Sequence, residues 1–167
     1  MGLRFRLESE PETVQDLSLA AEERFADGLD CVTLGRHWSG VYLLGYSAEM
    51  FLKVACFKLD GAQPDQPVAP HFGPAKRWGR RFFPKVPYEN FHNLWFWCLL
   101  LRCKRRYWGR SLLAPFDDNG LLRQTRLLHQ TWWIAMRYRP AQIGPDETQA
   151  ALDGASWIRN HSVELWR

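Results

Sequence analysis

Four polar side chains recur at helical spacing inside an otherwise apolar segment of the chain: Tyr42, Tyr46, Glu49 and Lys53. Residues three or four apart lie on one face of an α-helix, so we expect these four to form a single polar stripe. Glu49 precedes Lys53 by four residues, which is the order that favours an ion pair. The stripe fits either a pairing role between packed helices or a site turned toward a ligand.

His92 and Asn93 lie at the start of a helix that the sequence predicts from about Phe91 to Tyr107, with Asn90 as its N-cap. A helix N-terminus offers free amide groups and the positive end of the helix dipole, which suits an anion. Local capping by Asn93 and a hydrogen bond from His92 to a nearby carbonyl are the structural alternatives.

Arg137 and Tyr138 close the next predicted helix, which follows a turn at residues 117–120 and stops before Pro140. A guanidinium can bind a phosphate through two parallel hydrogen bonds, so Arg137 is a candidate anion ligand. Its alternative role is to bridge to a carboxylate such as Glu49.

The sequence shows no glycine-rich phosphate loop, serine triad or paired carboxylates.

Positive charge is concentrated between residues 75 and 110, which carry ten basic side chains against one acidic one, a balance of +9. Residues 1–34 carry eight acidic and three basic side chains, a balance of −5. Aromatic residues are interleaved with the cations, and this combination favours nucleotide or RNA as partner, although a solvated surface explains it equally. The predicted basic patch comprises Arg77, Arg80, Arg81, Arg102, Lys104, Arg105 and Arg106.

The composition fits one domain over residues 1–167, with 46% apolar, 14% aromatic and 24% charged residues. No apolar run reaches the roughly 18 residues of a membrane span, and Met1–Glu10 is charged, so we expect a cytoplasmic protein without membrane contact. Cys31, Cys56, Cys98 and Cys103 are expected as free thiols, since their spacing suits structural zinc poorly. We expect no metal and no cofactor.

The pattern of apolar residues predicts an all-α fold, an antiparallel up-and-down bundle of four to five helices. The second helix, 39–59, has three charged residues among 21 and should be central. Residues 61–88 contain six of the ten prolines and are predicted as a long basic loop without a long helix. The other helices are predicted over 13–33, 91–107, about 121–138 and 146–166.

Three short segments occur in a fixed order: Gly45-Tyr46-x-x-Glu49-x-x-Leu52-Lys53, then His92-Asn93-Leu94, then Arg137-Tyr138 with Pro140 close behind. This order resembles the HEPN domain family, and the similarity spans about residues 14–166. The resemblance implies an all-α bundle, often a homodimer, that binds nucleotide or RNA. Its binding residues would be Glu49, Lys53, His92, Asn93, Arg137 and Tyr138.

Many HEPN proteins accompany a small nucleotidyltransferase in toxin–antitoxin pairs, so the resemblance also implies such a partner. Some members are metal-independent ribonucleases, and Arg123 with His129 matches their Arg-to-His spacing, although the small polar residue that usually follows the arginine is missing. The sequence therefore favours a binding module without catalysis, with a ribonuclease as the first alternative. A protein-interaction bundle with tryptophan-rich faces is the second (Trp95, Trp97, Trp132, Trp133).

Overall fold

The computed structural model describes residues 11–87, 91–110, 118–138 and 142–167. These residues form six α-helices and one short 3-10 helix, and they contain no β-strand. The all-α prediction is confirmed for this part of the chain. The helices are α1 (Val14–Thr33), α2 (His37–Leu59), α3 (Ala69–Phe82), α4 (Leu94–Tyr107), α5 (Asp118–Thr131) and α6 (Pro145–Asn160), and the 3-10 helix is η1 (Ile134–Tyr138).

Helix α1 begins at Val14, directly after its N-cap residue Thr13. The Thr13 hydroxyl accepts a hydrogen bond from the Asp16 backbone amide at 3.1 Å, and the Asp16 carboxylate accepts from the Thr13 amide at 2.9 Å. This capping box satisfies two amides that have no partner within the helix. The Asp16 carboxylate also accepts from the Thr13 hydroxyl at 2.6 Å, and this bond, together with the one from the Thr13 amide, lowers the pKa of Asp16. The predicted start and end of this helix are confirmed.

Helix α2 is the central element, as predicted, and it packs against α1, α4, α6 and η1. It turns back from α1 through Gly35, which has a φ of +74° that glycine adopts without strain. By length and composition α2 is apolar enough to cross a membrane, but 83% of its most apolar window is buried inside the protein. That degree of internal burial is what a core helix shows.

The proline-rich segment 61–88 folds differently from the prediction, because it contains the helix α3. Pro64 and Pro67 precede the helix, and Pro70 lies in its first turn, where a missing amide breaks no hydrogen bond. Only Pro74 lies in the interior of the helix. The expectation of a long loop without a helix is therefore wrong, since most of these prolines occupy positions that a helix tolerates.

Other helix boundaries also differ from the prediction. The helix predicted over 146–166 ends at Asn160, and the helix predicted after a turn at 117–120 already begins at Asp118. Helix α4 begins at Leu94 with Asn93 as its N-cap, whereas the predicted N-cap, Asn90, lies outside the described residues. The helix predicted to reach Tyr138 ends at Thr131, and Tyr138 belongs to η1. Two tryptophans anchor this end of the chain: Trp132 donates from its indole nitrogen to the Tyr42 carbonyl at 2.9 Å, and Trp38 donates to the Met136 carbonyl at 3.0 Å.

The direction of α4 corrects the predicted alternation of up and down helices. Contacts between α2 and α4 follow the same order along both helices: Glu49 with His92, Cys56 with Trp97, and Asp60 with Lys104. The two helices are therefore parallel, and α3 with its flanking segments forms the connection between them. Helix α5 runs in the opposite direction, since Asp118 meets Arg102 at one end and Trp132 meets Tyr42 at the other.

Candidate functional site

The polar stripe of α2 forms a buried charged cluster with the start of the α4 segment. The Lys53 ammonium lies 2.6 Å from Glu49 Oε1, and His92 Nδ1 lies 3.1 Å from the same oxygen. The Glu49 side chain is fully buried, that of Lys53 is 8% exposed, and that of His92 is 31% exposed. Residues from two separate segments of the chain thus come together, and His92 is the member that reaches solvent.

Aromatic rings surround this cluster and limit access to it. The Lys53 ammonium lies 5.7 Å from the Phe72 ring centroid and 5.6 Å from that of Trp97, which are cation–π distances. Tyr46 lies 6.2 Å from the His92 ring. A ligand at the surface can therefore reach His92. Glu49 and Lys53 are buried beneath the His92 ring and can influence a ligand only through His92. Glu49 Oε2 is buried and has no hydrogen-bond partner among the described residues.

Asn93 has a local structural role, which was one of the alternatives open at the sequence level. Its side-chain oxygen accepts from the Phe96 amide at 3.0 Å, and its amide nitrogen donates to the Pro87 carbonyl at 3.0 Å. Phe91, two residues before Asn93, has a φ of +55°, an uncommon value for a residue with a side chain. This bend sets His92 beside Glu49, and the Phe91 carbonyl is fixed by the Trp97 indole at 2.8 Å.

Arg137 and Tyr138 lie in η1, which packs against α2. The Tyr138 side chain is 72% exposed, and the Arg137 side chain is outside the described part of the structure. The position of η1 follows from the bonds of Trp38 and Trp132 described above. The gathering of Glu49, Lys53 and His92 is thus observed, and the approach of Arg137 to them stays a prediction.

Two residues of the predicted basic patch are buried rather than on the surface. Lys104 forms an ion pair with Asp60 and contacts the Cys56 carbonyl, closing the C-terminal end of α2 onto α4. Arg105 donates to the carbonyls of Glu164 and Leu165, each at 2.7 Å, and burial lowers the pKa of its guanidinium. Both cations therefore serve the fold, and neither is available at the surface for a phosphate.

Arg102 and Arg106 share one carboxylate at the start of α5. Arg102 binds Asp118 through two hydrogen bonds of 2.9 and 2.7 Å, and the more exposed Arg106 lies 3.6 Å from the same group. These cations hold the pKa of Asp118 below its usual value, chiefly through the Arg102 hydrogen bonds. The charge of Arg102 is therefore already neutralised by the Asp118 carboxylate.

The rest of the basic patch lies on α3 and borders a groove of about 360 Å³ between α3 and the end of α4. Arg77 and Arg81 are one helical turn apart and exposed, and Arg80 is exposed beside them. Trp78 lies on the same helix, and its ring centroid is 5.2 Å from those of both Phe82 and Tyr107. The lining residues are Pro74, Arg77, Trp78, Arg81, Phe82 and Tyr107.

The buried cation Lys104 lies against the Trp78 ring, which lines the groove. The Lys104 ammonium is 6.0 Å from the Trp78 ring centroid, and its pairing with Asp60 fixes it in place. The Arg81 guanidinium lies 5.2 Å from the Phe82 ring centroid. The arrangement presents guanidinium groups and aromatic faces side by side, which is the chemistry that binds phosphates and stacks on bases.

The proposed nuclease pair does not meet within one chain. Arg123 and His129 both belong to the continuous helix α5, and Arg123 lines a surface depression with Trp95 and Arg126 that His129 does not join. Burial lowers the pKa of His129, and its Nδ1 is buried without a hydrogen-bond partner in the described residues. On one uninterrupted helix the two positions are about 9 Å and 120° apart.

The tryptophans expected at an interaction surface divide between core and surface. Trp97 and Trp132 are buried, whereas Trp133 is 64% exposed and lines a shallow depression with Trp38 and Met136. Trp132 packs directly on Gly45, where a side chain would overlap the indole ring. Gly45 therefore belongs to the packing of the bundle, a role that its place in an apolar helix did not indicate.

No family model, no curated protein and no solved structure matches this chain. Among the described residues no group of three or more histidine, cysteine, aspartate or glutamate side chains is placed to hold a metal ion. The candidate sites are therefore defined by their own geometry: the buried Glu49–Lys53–His92 cluster, and the groove between α3 and α4.

Proposed function

We propose that this chain is a nucleotide- or RNA-binding helical domain of HEPN type that carries out no catalysis of its own. The observation that carries the proposal is the groove between α3 and α4, where exposed Arg77 and Arg81 stand beside Trp78, Phe82 and Tyr107. Its volume of about 360 Å³ is near the lower end of the roughly 300–1,000 Å³ of ligand pockets.

A weaker support comes from the segments that resemble the HEPN family. Glu49, Lys53 and His92 belong to two of these segments, and they are direct neighbours in the structure. His92 is the solvent-accessible member, and Glu49 orients its imidazole ring. The cluster lies at the start of the α4 segment, at the opposite end of α4 from the groove, and in this proposal His92 is the member that a ligand can reach.

The proposal excludes catalysis on two grounds. Arg123 and His129 lie on one helix, about 9 Å and 120° apart, so that within one chain they converge on a reacting phosphate only through a bend. The small polar residue that usually follows the arginine in nucleases of the family is also missing, which applies to a dimer as well. Incubation with RNA in the presence of a chelator should therefore leave the RNA intact.

The direct test of binding is a titration of labelled RNA, ATP and GTP with the purified chain at about 50 and 200 mM salt. We expect binding at the lower concentration that weakens steeply at the higher one, because contacts with phosphates release condensed counterions. Absence of binding to all three ligands at low salt would contradict the proposed function.

The resemblance also leads us to propose a homodimer and a nucleotidyltransferase partner. The molar mass measured by light scattering tests the first, since a dimer has twice the 19.6 kDa of the chain. Co-purification with a nucleotidyltransferase encoded beside this protein tests the second. A monomer that binds no such enzyme would remove both partners from the proposal and leave the ligand groove unaffected.

A further inference from the structure

Four aromatic rings form a continuous strip across the end of the bundle: Phe82, Trp78, Tyr107 and Trp108. Each successive pair of ring centroids is 5.2 Å apart. Phe82 is 44% exposed, Tyr107 67% and Trp108 53%. The strip extends beyond the groove, because Trp108 is not among the groove's lining residues.

We propose that this strip binds a single-stranded polynucleotide, with bases stacked on the rings and the phosphate backbone held by Arg77 and Arg81. The inference rests on the proposed function and adds the class of ligand and the location of its site. Base–aromatic stacking tolerates any base, because every base has a π-face, and the site therefore has little sequence preference.

A single strand fits this surface better than a duplex does. Bases in a double helix are stacked on each other, so that a protein cannot place an aromatic ring on their faces without unstacking them. The exposed faces of Tyr107 and Trp108 consequently have nothing to stack on in a duplex. A duplex could use only the charges of Arg77 and Arg81.

A strand of several nucleotides also fits better than a mononucleotide. A single nucleotide occupies the groove beside Trp78 and leaves Trp108 uncovered. The next base of the bound strand can reach Trp108 because the centroid of this ring lies 5.2 Å from that of Tyr107. Each additional stacked base and neutralised phosphate adds affinity.

The helical register of α3 explains why cations and rings alternate here. Arg77 and Arg81 are four residues apart, and so are Trp78 and Phe82, which places each pair on one stripe of the helix. The two stripes are adjacent, so that the backbone and the bases of one strand can follow them in parallel. Trp78 is held from beneath by Lys104, which keeps the platform in place without ligand.

The test is fluorescence anisotropy with the full chain and four probes: oligouridine and oligothymidine of about 12 nucleotides, an RNA duplex of similar length, and uridine monophosphate as competitor. The key variant is Tyr107→Ala, because this side chain is largely exposed and its loss spares the core. We expect it to weaken single-strand binding by about 5- to 140-fold, the loss of one stacked base. Tyr107→Phe keeps the ring and should retain the affinity.

Two matched controls lie at the far end of the bundle. Trp133→Ala removes an exposed aromatic ring, and Arg36→Ala removes one exposed positive charge. Arg36 lies about 30 Å along α2 from Cys56, whose carbonyl contacts Lys104 beside the groove. Both should bind like the unmodified chain. Arg77→Ala, in contrast, should lower the slope of log affinity against log salt by about 0.7, the value of one phosphate contact with a single strand.

The outcomes separate the inference from the proposed function. Binding of either single-stranded oligomer that depends on Tyr107 supports the inference, and comparison of the two oligomers distinguishes RNA from DNA. Duplex or monophosphate binding as tight as that of the oligomers overturns the inference, as does an equal effect of Tyr107→Ala and Trp133→Ala, while nucleotide binding as such stands. If no probe binds, the inference fails, and the proposed function fails with it when ATP and GTP also do not bind at low salt.

Discussion

Glu49 and Lys53 form an ion pair of 2.6 Å on one face of α2, with the carboxylate fully buried and the ammonium side chain only 8% exposed. Removing one partner of such a pair leaves an uncompensated charge in the interior, which costs about 3–5 kcal/mol. Glu49→Gln and Lys53→Met should each lower the free energy of unfolding by an amount of that order. Urea denaturation monitored by tryptophan fluorescence measures the change.

The double variant Glu49→Gln/Lys53→Met is the informative control. It removes both charges together, so its loss of stability should be clearly smaller than the sum of the two single losses. Additive losses would mean that the pair is not coupled and that each side chain is stabilised by other groups, such as His92 or the rings around Lys53.

A second prediction concerns the close contact between Gly45 and Trp132. A Cβ atom at position 45 would overlap the buried Trp132 indole, whose nitrogen is tied to the Tyr42 carbonyl. Overpacking of this kind typically costs about 1–3 kcal/mol, more than the roughly 1 kcal/mol that alanine gains over glycine in a helix. Gly45→Ala should therefore lower the thermal midpoint.

The matched control for this prediction is Gly73→Ala in α3. Apart from its chain neighbours, a Cβ at that position meets the end of the flexible Arg77 side chain, at 3.7 Å, among the described residues. The same substitution should there change the free energy of unfolding by less than about 1 kcal/mol, because the gain in helix preference is opposed by the contact of the new Cβ with the ring of Pro74. A loss at Gly45 no larger than the change at Gly73 would contradict the role assigned to the Gly45–Trp132 contact.

The sequence was sufficient where local chemistry decides the structure. Thr13 and Asp16 cap α1, and Gly35 ends the α1–α2 turn, so both could be predicted from residue type and spacing. The i, i+4 spacing of Glu49 and Lys53 likewise predicted their pairing. Each of these relationships involves residues within a few positions of each other.

Contacts between segments that are far apart along the chain could not be predicted from the sequence. Lys104 and Arg105 stand in a run of cations that looks solvent-exposed, and only the approach of Asp60 and of the Glu164 and Leu165 carbonyls explains their burial. The parallel direction of α4 depends on the path of the chain through α3. The proline content of this segment predicted a loop, so the helix and the path were both missed. The groove between α3 and α4 could not be predicted for the same reason.

A third prediction concerns the four free thiols. Burial raises the pKa values of Cys56 and Cys98 to about 12, whereas Cys31 and Cys103 are only partly buried. At pH 8 a thiol with such a pKa is ionised in only about one molecule in ten thousand, and the thiolate is the reactive form. Iodoacetamide should therefore modify Cys31 and Cys103 first in the native protein, and all four residues in urea. Peptide mass spectrometry identifies the modified positions, and rapid native modification of Cys56 or Cys98 would contradict their burial.

The last prediction is a pH dependence of stability at the Arg102–Asp118 pair. The pKa of Asp118 is lower in the folded protein than its ordinary value of 3.8, because Arg102 binds the ionised form. The unfolded chain therefore takes up a proton at this group before the folded chain does, so the contribution is present above about pH 4 and is lost as the pH falls through the folded pKa. Since the pair is partly solvated, its worth at neutral pH is about 1 kcal/mol or less.

Asp118→Asn should accordingly destabilise the protein at pH 7 and have a smaller effect near pH 3, as measured by urea unfolding at both values. Asp65→Asn provides a control with the same change of net charge, because the Asp65 side chain is exposed and forms no ion pair among the described residues. This control should show a small effect at pH 7. Asp118→Asn could instead lower the stability as much at pH 3 as at pH 7. That result would show that the side chain acts through its shape or neutral hydrogen bonds, and that its charge pairing with Arg102 contributes nothing to the fold.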